Sequence, residues 1–181
     1  RGSGRSIAGF DLAAALRGCD DLLLKHGGHA MAAGVTIEPS RVDELRERLN
    51  RIAQRSLTPE QLVPALRIDA EAVLSEIDEA ALAEISRLEP FGQGNPSVQI
   101  RIPGLRHARP PQRIGKEQQH WRFTVTDGKV ERECVWWNAG SRMVPTGDFE
   151  LAGVPELNEY GGRRSVRIKV LDWRPVEPLK R

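Results

Sequence analysis

The sequence predicts an α+β protein in which a small α/β unit is followed by a small closed β-barrel. Apolar residues recur at helical spacing in the first third of the chain, whereas they alternate with polar residues after position 120. Eight of the nine aromatic residues lie after position 90. Because 181 residues suffice for two small domains, we predict an α/β domain over 1–58, a connector over 59–97 and a barrel over 98–181.

Two helices and one strand are predicted in the α/β unit. Apolar residues at helical spacing indicate the first helix, namely Leu12, Leu16, Cys19 and Leu23. The glycines at 27 and 28 would end this helix. The short apolar run 31–37 predicts a strand. Ser40 would then cap a second helix, whose apolar face consists of Val42, Leu45, Leu49 and Ile52.

The connector is predicted to contain a strand over 65–70 and a helix over 78–88. Beyond it, period-two alternation predicts strands over 121–126, 130–137, 149–154 and 165–173. Asp127 and Gly128 mark a hairpin turn, and residues 138–146 form a longer connection. Four or five short strands favour a five-stranded OB-type barrel, a fold that binds oligonucleotides.

Charge is distributed unevenly along the chain, although the formal net charge is only +2. Residues 98–181 carry sixteen Lys and Arg against ten Asp and Glu, whereas residues 59–97 carry two against eight. Phosphates bind cations and bases stack on flat side chains, so a basic and aromatic barrel suits a nucleic-acid groove. Trp and Phe are more often part of a core, however, and composition alone leaves both roles open.

Several classes of protein are disfavoured by what the sequence lacks. No apolar run approaches the length of a membrane span and no signal-peptide stretch is present, so we expect a cytoplasmic protein without membrane association. Cys19 and Cys134 are too few for a disulfide framework or a conventional zinc site. No Walker loop or HExxH, HxxxH or CxxC pattern occurs. The chain opens at Arg1 inside a glycine-rich motif, from which we expect a piece of a longer protein.

The first candidate binding motif is the opening stretch Gly2-Ser3-Gly4-Arg5-Ser6. Glycines allow backbone N–H groups to face an anion, and serine hydroxyls add further donors. An arginine offers two parallel hydrogen bonds to a phosphate. The alternative is an ordinary glycine turn with a solvated arginine.

The second candidate motif is KHGGHAMAAG at residues 25–34. Two glycines before His29 and small residues after it allow a strand to run close to a ligand. His29 would then be able to donate to a phosphate oxygen, ligate a metal or act as an acid or base. The alternative is a structural histidine, and no nucleophile–base constellation is visible in the sequence.

These motifs together resemble those of a known family. GSGRS at 2–6 followed by GGHAMAAG at 27–34 resembles the DHH-associated domain of DHH phosphoesterases. LEPFGQGNP at 88–96 is the most specific string, and it is similar to the RecJ family of single-stranded-DNA-specific exonucleases. NEYGG at 158–162 is similar to the end of that family's OB domain. Residues 98–120 match the family less well, and the pair Trp136-Trp137 has no place in its pattern.

The resemblance implies a 5′→3′ exonuclease of DNA recombination and repair, in which a separate DHH domain holds two Mn²⁺ or Mg²⁺ ions. No Asp-His-His occurs here, so we expect no catalytic residue, no bound metal and no hydrolysis by this chain alone. Ser3 and Arg5, with Ser6 beside them, match positions expected to grip the 5′-phosphate. Gly27, Gly28 and His29 match the motif that faces the scissile nucleotide.

The resemblance also implies that the barrel binds single-stranded DNA, with a repair helicase or a single-strand-binding protein as candidate protein partners. The candidate DNA-binding side chains are Arg101, Trp121, Arg122, Trp137, Tyr160, Arg163, Arg164 and Lys169. The alternative function is a stand-alone single-strand nucleic-acid-binding module without chemistry. DHH oligoribonucleases and cyclic-dinucleotide phosphodiesterases are disfavoured, because those relatives lack the appended barrel.

Overall fold

A computed structural model describes residues 1–176, apart from the side chains of Tyr160 and Arg163. The chain forms two compact units, Arg1–Ala65 and Leu66–Arg181. The division falls inside the range that the sequence predicts as a connector. Residues after position 65 join the barrel unit because the short strand Ala70–Glu71 pairs with a barrel strand and Leu74 is buried in the barrel core.

The first unit is a three-stranded antiparallel sheet with two helices. In chain order, its elements are β1 (Gly2–Arg5), α1 (Leu12–Arg17), β2 (Lys25–His29), β3 (Ala32–Thr36) and α2 (Val42–Ser56). The strand order in the sheet is β1-β3-β2, so the small-residue strand β3 is central. Asp11 caps α1 by accepting the N–H of Ala14 at 2.9 Å, and a small core forms around Cys19, Leu22 and Leu45.

Two local expectations and one alternative for this unit are wrong. The alternative of an ordinary glycine turn at the opening motif is excluded, because Gly2–Arg5 is an edge strand that pairs along its whole length with β3. The glycines at 27 and 28 do not end a helix but lie in β2, since α1 already stops at Gly18. Ser40 does not cap α2, because it lies within the 3₁₀ turn Pro39–Arg41 that precedes the helix.

The second unit is a closed barrel with a short helix. In chain order, its elements are β4 (Ala70–Glu71), α3 (Glu79–Ser86), β5 (Ile100–His107), β6 (Gln112–Ile114), β7 (His120–Thr126), β8 (Glu131–Trp136), β9 (Phe149–Tyr160) and β10 (Arg163–Pro175). Five of these strands form a ring in the order β5-β9-β10-β8-β7, which the pairing of β5 with β7 closes. Only the β8–β10 pair in this ring is parallel. The ring confirms the predicted OB-type barrel.

The predicted hairpin turn is also present between β7 and β8. A carboxylate oxygen of Asp127 accepts the N–H groups of Lys129 and Val130, both at 2.9 Å. These hydrogen bonds, that of Val130 foremost, hold the pKa of Asp127 below its usual value. The sequence missed β5, because Pro103 and Gly104 interrupt its alternation where its register against β9 also shifts.

The barrel interior is filled by alternate side chains of the ring strands. Fully buried members include Ile102, Leu105, Phe149, Leu151 and Ile168. This inward set leaves the intervening residues of each strand on the outer surface. In the part of the chain that the structure describes, no helix is long and apolar enough to cross a membrane.

Candidate nucleic-acid interface

The exposed face of the three-stranded sheet brings the two glycine motifs together. Arg5 of β1 lies opposite Ala32 of β3, which lies opposite His29 of β2. The next row on the same face places Ser3 beside Gly34 and Gly27. Side chains of residues two apart in a strand point to the same side, so Ser3, Arg5 and His29 share one surface.

The opposite face of the sheet is covered by α1. Ala33 on that side is buried, and a Cβ atom placed on Gly4 would lie 3.0 Å from Cδ2 of Leu12. Gly28 shares this row, since it pairs with Ala33. The face that carries Arg5 and His29 is therefore the solvent-accessible one; we call it the open face.

The open face carries positive charge, and the residues at its centre are small. Arg5 donates from Nη1 to Oγ of Ser3 and to the carbonyl oxygen of Gly4, both at 3.0 Å. Lys25 and Thr36 form the third row on the same face. The three strands contain no Asp or Glu, so no carboxylate from the sheet itself opposes a bound anion. Small residues at the centre allow an anion to approach the backbone closely.

Two of the six predicted phosphate-site residues lie elsewhere. Ser6 donates its hydroxyl to the carbonyl oxygen of Phe10 at 2.6 Å and its N–H to that of Met31 at 2.9 Å, which places it in the turn after β1. Gly28 lies in the row that faces α1. It has a φ of +145°, and a Cβ there would collide with the backbone of Ala32.

The sequence reasoning missed Lys25 as a member of the open face. Period-two alternation through Lys25, Gly27 and His29 is the signal that reveals it once β2 is known to be a strand. His26 belongs to the other side, where its Nε2 lies 2.9 Å from Oδ1 of Asp20.

The outer surface of the barrel is also organised in rows. One row crosses the strands from the exposed Arg122 in β7 to the exposed Lys169 in β10, through Val135 in β8, whose side chain is only 2% exposed. In an OB barrel the second and third ring strands, here β7 and β8, form the oligonucleotide-binding face. Arg122 and Lys169 therefore lie on or beside the surface where this fold binds DNA; we call this surface the barrel face.

The neighbouring row on the barrel face is less favourable to DNA. It consists of Thr124, Glu133 and Arg167. Arg167 donates to a carboxylate oxygen of Glu156 at 2.6 Å. A single strand is therefore best accommodated along the row of Arg122 and Lys169, where the outward side chains include no carboxylate.

Trp137 and Trp121 occupy different environments. Trp137 is 40% exposed; its ring lies 4.8 Å from that of His120, edge to face, and the guanidinium of Arg167 lies over it at 5.9 Å from its centre. Trp121 is half-buried against the core and donates from Nε1 to the carbonyl oxygen of Arg142 at 3.0 Å. The guanidinium of Arg113 covers the Trp121 ring at 4.1 Å from its centre. Trp137 is therefore available to stack on a base, whereas Trp121 anchors the 138–146 connection.

Other predicted DNA contacts are engaged in ion pairs or fall outside the description. Arg101 donates from Nε to Glu150 at 2.9 Å, and this interaction, with that from Arg174, lowers the pKa of Glu150 although the carboxylate is buried. Arg164 lies 2.9 Å from a carboxylate oxygen of Glu159. The side chains of Tyr160 and Arg163 lie outside the described residues.

A divalent metal does not fit the side chains that the structure describes. Within residues 1–176, no three His, Cys, Asp or Glu side chains are grouped so as to hold one. His29 shares its face with Arg5 and Lys25, whose positive charges oppose a bound cation. The positive charges of the open face suit an anion better than a cation.

Comparisons with known proteins identify both parts of the chain. Residues 68–172 match the RecJ OB domain model, and residues 1–55 match the DHHA1 domain model. The chain is 33% identical over 177 residues to the single-stranded-DNA-specific exonuclease RecJ of Bacillus subtilis, covering 95% of this chain and 22% of the relative. It is 29% identical over 181 residues to RecJ of Thermus thermophilus, covering 99% of this chain and 25% of the relative.

Solved structures give the same result. The crystal structure of RecJ from Thermus thermophilus in complex with Mg²⁺ matches with a TM-score of 0.74 at 26% identity, over 97% of this chain and 27% of that one. The Mn²⁺ complex matches with a TM-score of 0.74 over 98% and 26%. The chain thus spans about a quarter of the length of these relatives. It belongs to the RecJ family and is homologous to the C-terminal region of its single-stranded-DNA-specific exonucleases.

Proposed function

We propose that this chain is the substrate-holding part of a 5′→3′ single-stranded-DNA exonuclease of recombination and repair. In this proposal the open face binds the 5′-phosphate and the barrel face binds the strand. The observation that carries it is the strand register that brings Ser3, Arg5, Gly27 and His29 onto one cationic face. Protein partners such as a repair helicase or a single-strand-binding protein, and a cytoplasmic location, remain predictions.

The open face suits a terminal phosphate for chemical reasons. A guanidinium can donate two parallel hydrogen bonds to a phosphate dianion, and Ser3 beside it adds a hydroxyl donor. His29 lies two strands away from Arg5, at a strand separation of about 10 Å. With only Ala32 between them, Arg5 would hold the terminal phosphate while His29 donates to the next linkage.

We further propose that hydrolysis requires a part of the parent protein that this chain does not include. Mn²⁺ or Mg²⁺ would act there, by activating water for attack on the phosphodiester. The cationic surroundings of His29 support a separation between substrate binding by this chain and metal-dependent hydrolysis elsewhere. Positive charges around His29 favour a bound phosphate over a bound metal ion. Mn²⁺-dependent release of nucleotides from 5′-phosphorylated single strands by the purified chain would contradict it.

The test of the proposed grip is a binding comparison between two 12-nucleotide dT strands that differ only in a 5′-phosphate or 5′-hydroxyl. Arg5→Ala should weaken binding of the phosphorylated strand about tenfold and leave the hydroxyl strand unchanged, because an exposed charge-assisted pair contributes roughly 1.5 kcal/mol. Arg5→Lys should recover part of the loss, since an ammonium keeps the charge without the two parallel donors. Fluorescence anisotropy with a 3′-label measures both affinities.

The matched control is Arg55→Ala, which removes an exposed arginine in the last turn of α2 and not in a strand of the sheet. This substitution should weaken binding of both strands slightly and to the same extent. If Arg5→Ala weakened binding of both strands equally, Arg5 would stabilise the edge strand β1 or contribute only non-specific positive charge. It would then not bind the terminal phosphate. If the wild-type chain bound both strands equally well, the alternative of a stand-alone single-strand-binding module would be favoured.

A further inference from the structure

A groove of about 500 Å³ lies in the barrel unit, where Leu82, Val98 and Leu157 of its lining also pack against the barrel core. One wall is α3 with the segment after it, and the floor is formed by β9 and β10. The floor includes Val154 and Lys169, which are paired neighbours in the β9–β10 ladder. The wall includes Phe91, a half-buried aromatic from the LEPFGQGNP stretch. The proposed function assigns no role to this stretch.

We propose that this groove binds one base of the single strand that crosses the barrel face. The inference rests on the proposed function, because the groove continues one row of the barrel face. That row runs from Arg122 through Val135 to Lys169, and the next residue across is Val154. Lys169 therefore belongs to both surfaces, so a strand whose phosphate contacts it has its base at the entrance of the groove.

The charges around the groove distinguish a base from a phosphate. Glu79 and Glu89 lie in the wall, where they repel the backbone but can accept hydrogen bonds from base N–H groups. Glu156 and Arg164 also line the groove, but each is engaged in an ion pair, with Arg167 and Glu159 respectively. Leu82 and Val98 provide apolar contact beside Phe91. The backbone then stays on the side of Lys169, and the flat apolar base enters between the walls.

Phe91 is held in place by its own loop. Asn95 donates from Nδ2 to the carbonyl oxygens of Leu88 at 2.7 Å and Pro90 at 3.1 Å. The N–H of Gly92 donates to the carbonyl oxygen of Asn95 at 2.8 Å. These hydrogen bonds fix the backbone on both sides of Phe91, so little ordering is needed when a base stacks on its ring.

The test uses two probes with the same phosphates: a 12-nucleotide dT strand and a 12-residue abasic strand. Phe91→Ala in the full chain should weaken dT binding at least about fivefold and leave abasic binding unchanged, because only bases can stack. Leu88→Ala is the matched control, since Leu88 is 57% exposed in the same segment and does not line the groove. It should leave both affinities unchanged.

Two results would overturn the groove assignment. If Phe91→Ala weakened both probes equally, its role would be structural, and if it weakened neither, no base would occupy the groove. A parallel measurement on Trp137→Ala distinguishes failure of the groove assignment from failure of the proposed function. Loss of dT binding in Trp137→Ala alone would reject the groove and retain the barrel face, whereas equal wild-type affinity for dT and abasic strands would reject both.

Discussion

The open face and the barrel face both suit a single strand, but they do so by opposite means. The centre of the open face is made of residues with little or no side chain, namely Gly27, Ala32 and Gly34, with cations at its edges. The barrel face instead presents long side chains, among them Arg122 and an exposed Trp137.

This difference separates two kinds of recognition. A surface of small residues lets a phosphate come close to the backbone and to Arg5, which favours one fixed position for the end of a strand. A surface of cations and aromatic rings binds any stretch of bases and phosphates, without a fixed register. The first unit is thus suited to selecting an end, and the barrel to holding the rest of the strand.

The largest expected effect separates two adjacent glycines of β2. Gly28→Ala should lower the free energy of unfolding of the first unit by roughly 3 kcal/mol, because its φ of +145° and the collision with Ala32 both disfavour a side chain. Urea unfolding followed by far-UV circular dichroism, with hydrogen exchange of residues 25–36, measures this loss.

Gly27→Ala is the matched substitution, and its effect should appear in binding. Within the described part of the chain, a Cβ at Gly27 meets no atom within 4 Å, so the free energy of unfolding should change by less than about 1 kcal/mol. The added methyl group would lie on the open face, however, and should weaken binding of the 5′-phosphorylated strand. Unchanged binding by a folded Gly27→Ala variant would show that the phosphate does not approach this row.

The second expected effect separates two tryptophans of the barrel. Trp137→Ala should weaken single-strand binding by about 1–3 kcal/mol with little loss of stability, because its ring is exposed. Trp121→Ala should mainly lower the barrel's melting temperature, since it removes the anchor of the 138–146 connection. Anisotropy and thermal unfolding on both variants give the comparison, and a reversed pattern would exchange the two assignments.

The sequence predicted more of the barrel than of the site. Alternation in β7 and β8 and the turn at Asp127 were visible, because a half-buried strand imposes its period on the sequence. The open face was only partly visible. Its motifs were found, but glycine-rich strands have no apolar alternation, so the edge position of β1 and the membership of Lys25 depend on pairing with β3.

The smallest expected effect is a pH dependence confined to the barrel. His107 is packed between the rings of Phe123 and Phe149, and its Nε2 lies 2.9 Å from the carbonyl oxygen of Pro145. Its Nδ1 is buried without a hydrogen-bond partner among the residues that the structure describes. Burial lowers the pKa of His107. The unfolded chain therefore binds a proton before the folded barrel does, and stability should fall as pH drops below about 6.5.

His107→Gln provides the control for this dependence, because an amide can still donate to the carbonyl oxygen of Pro145 but does not titrate. Urea unfolding at pH 7.5 and 5.5 should show a smaller difference in this variant than in the wild type. An unchanged difference would assign the pH dependence to other groups.

The most direct test of the central claim locates the terminal phosphate itself. Backbone amide chemical shifts of the ¹⁵N-labelled chain would be recorded by NMR during titration with 5′-phosphorylated and 5′-hydroxyl dT strands of equal length. We expect the phosphate to add shifts at Arg5, Gly27, His29 and Gly34, while both strands shift the barrel residues around Trp137 alike. Identical shifts of the open-face amides with the two strands, or none at all, would contradict the assignment of this face to the 5′-phosphate.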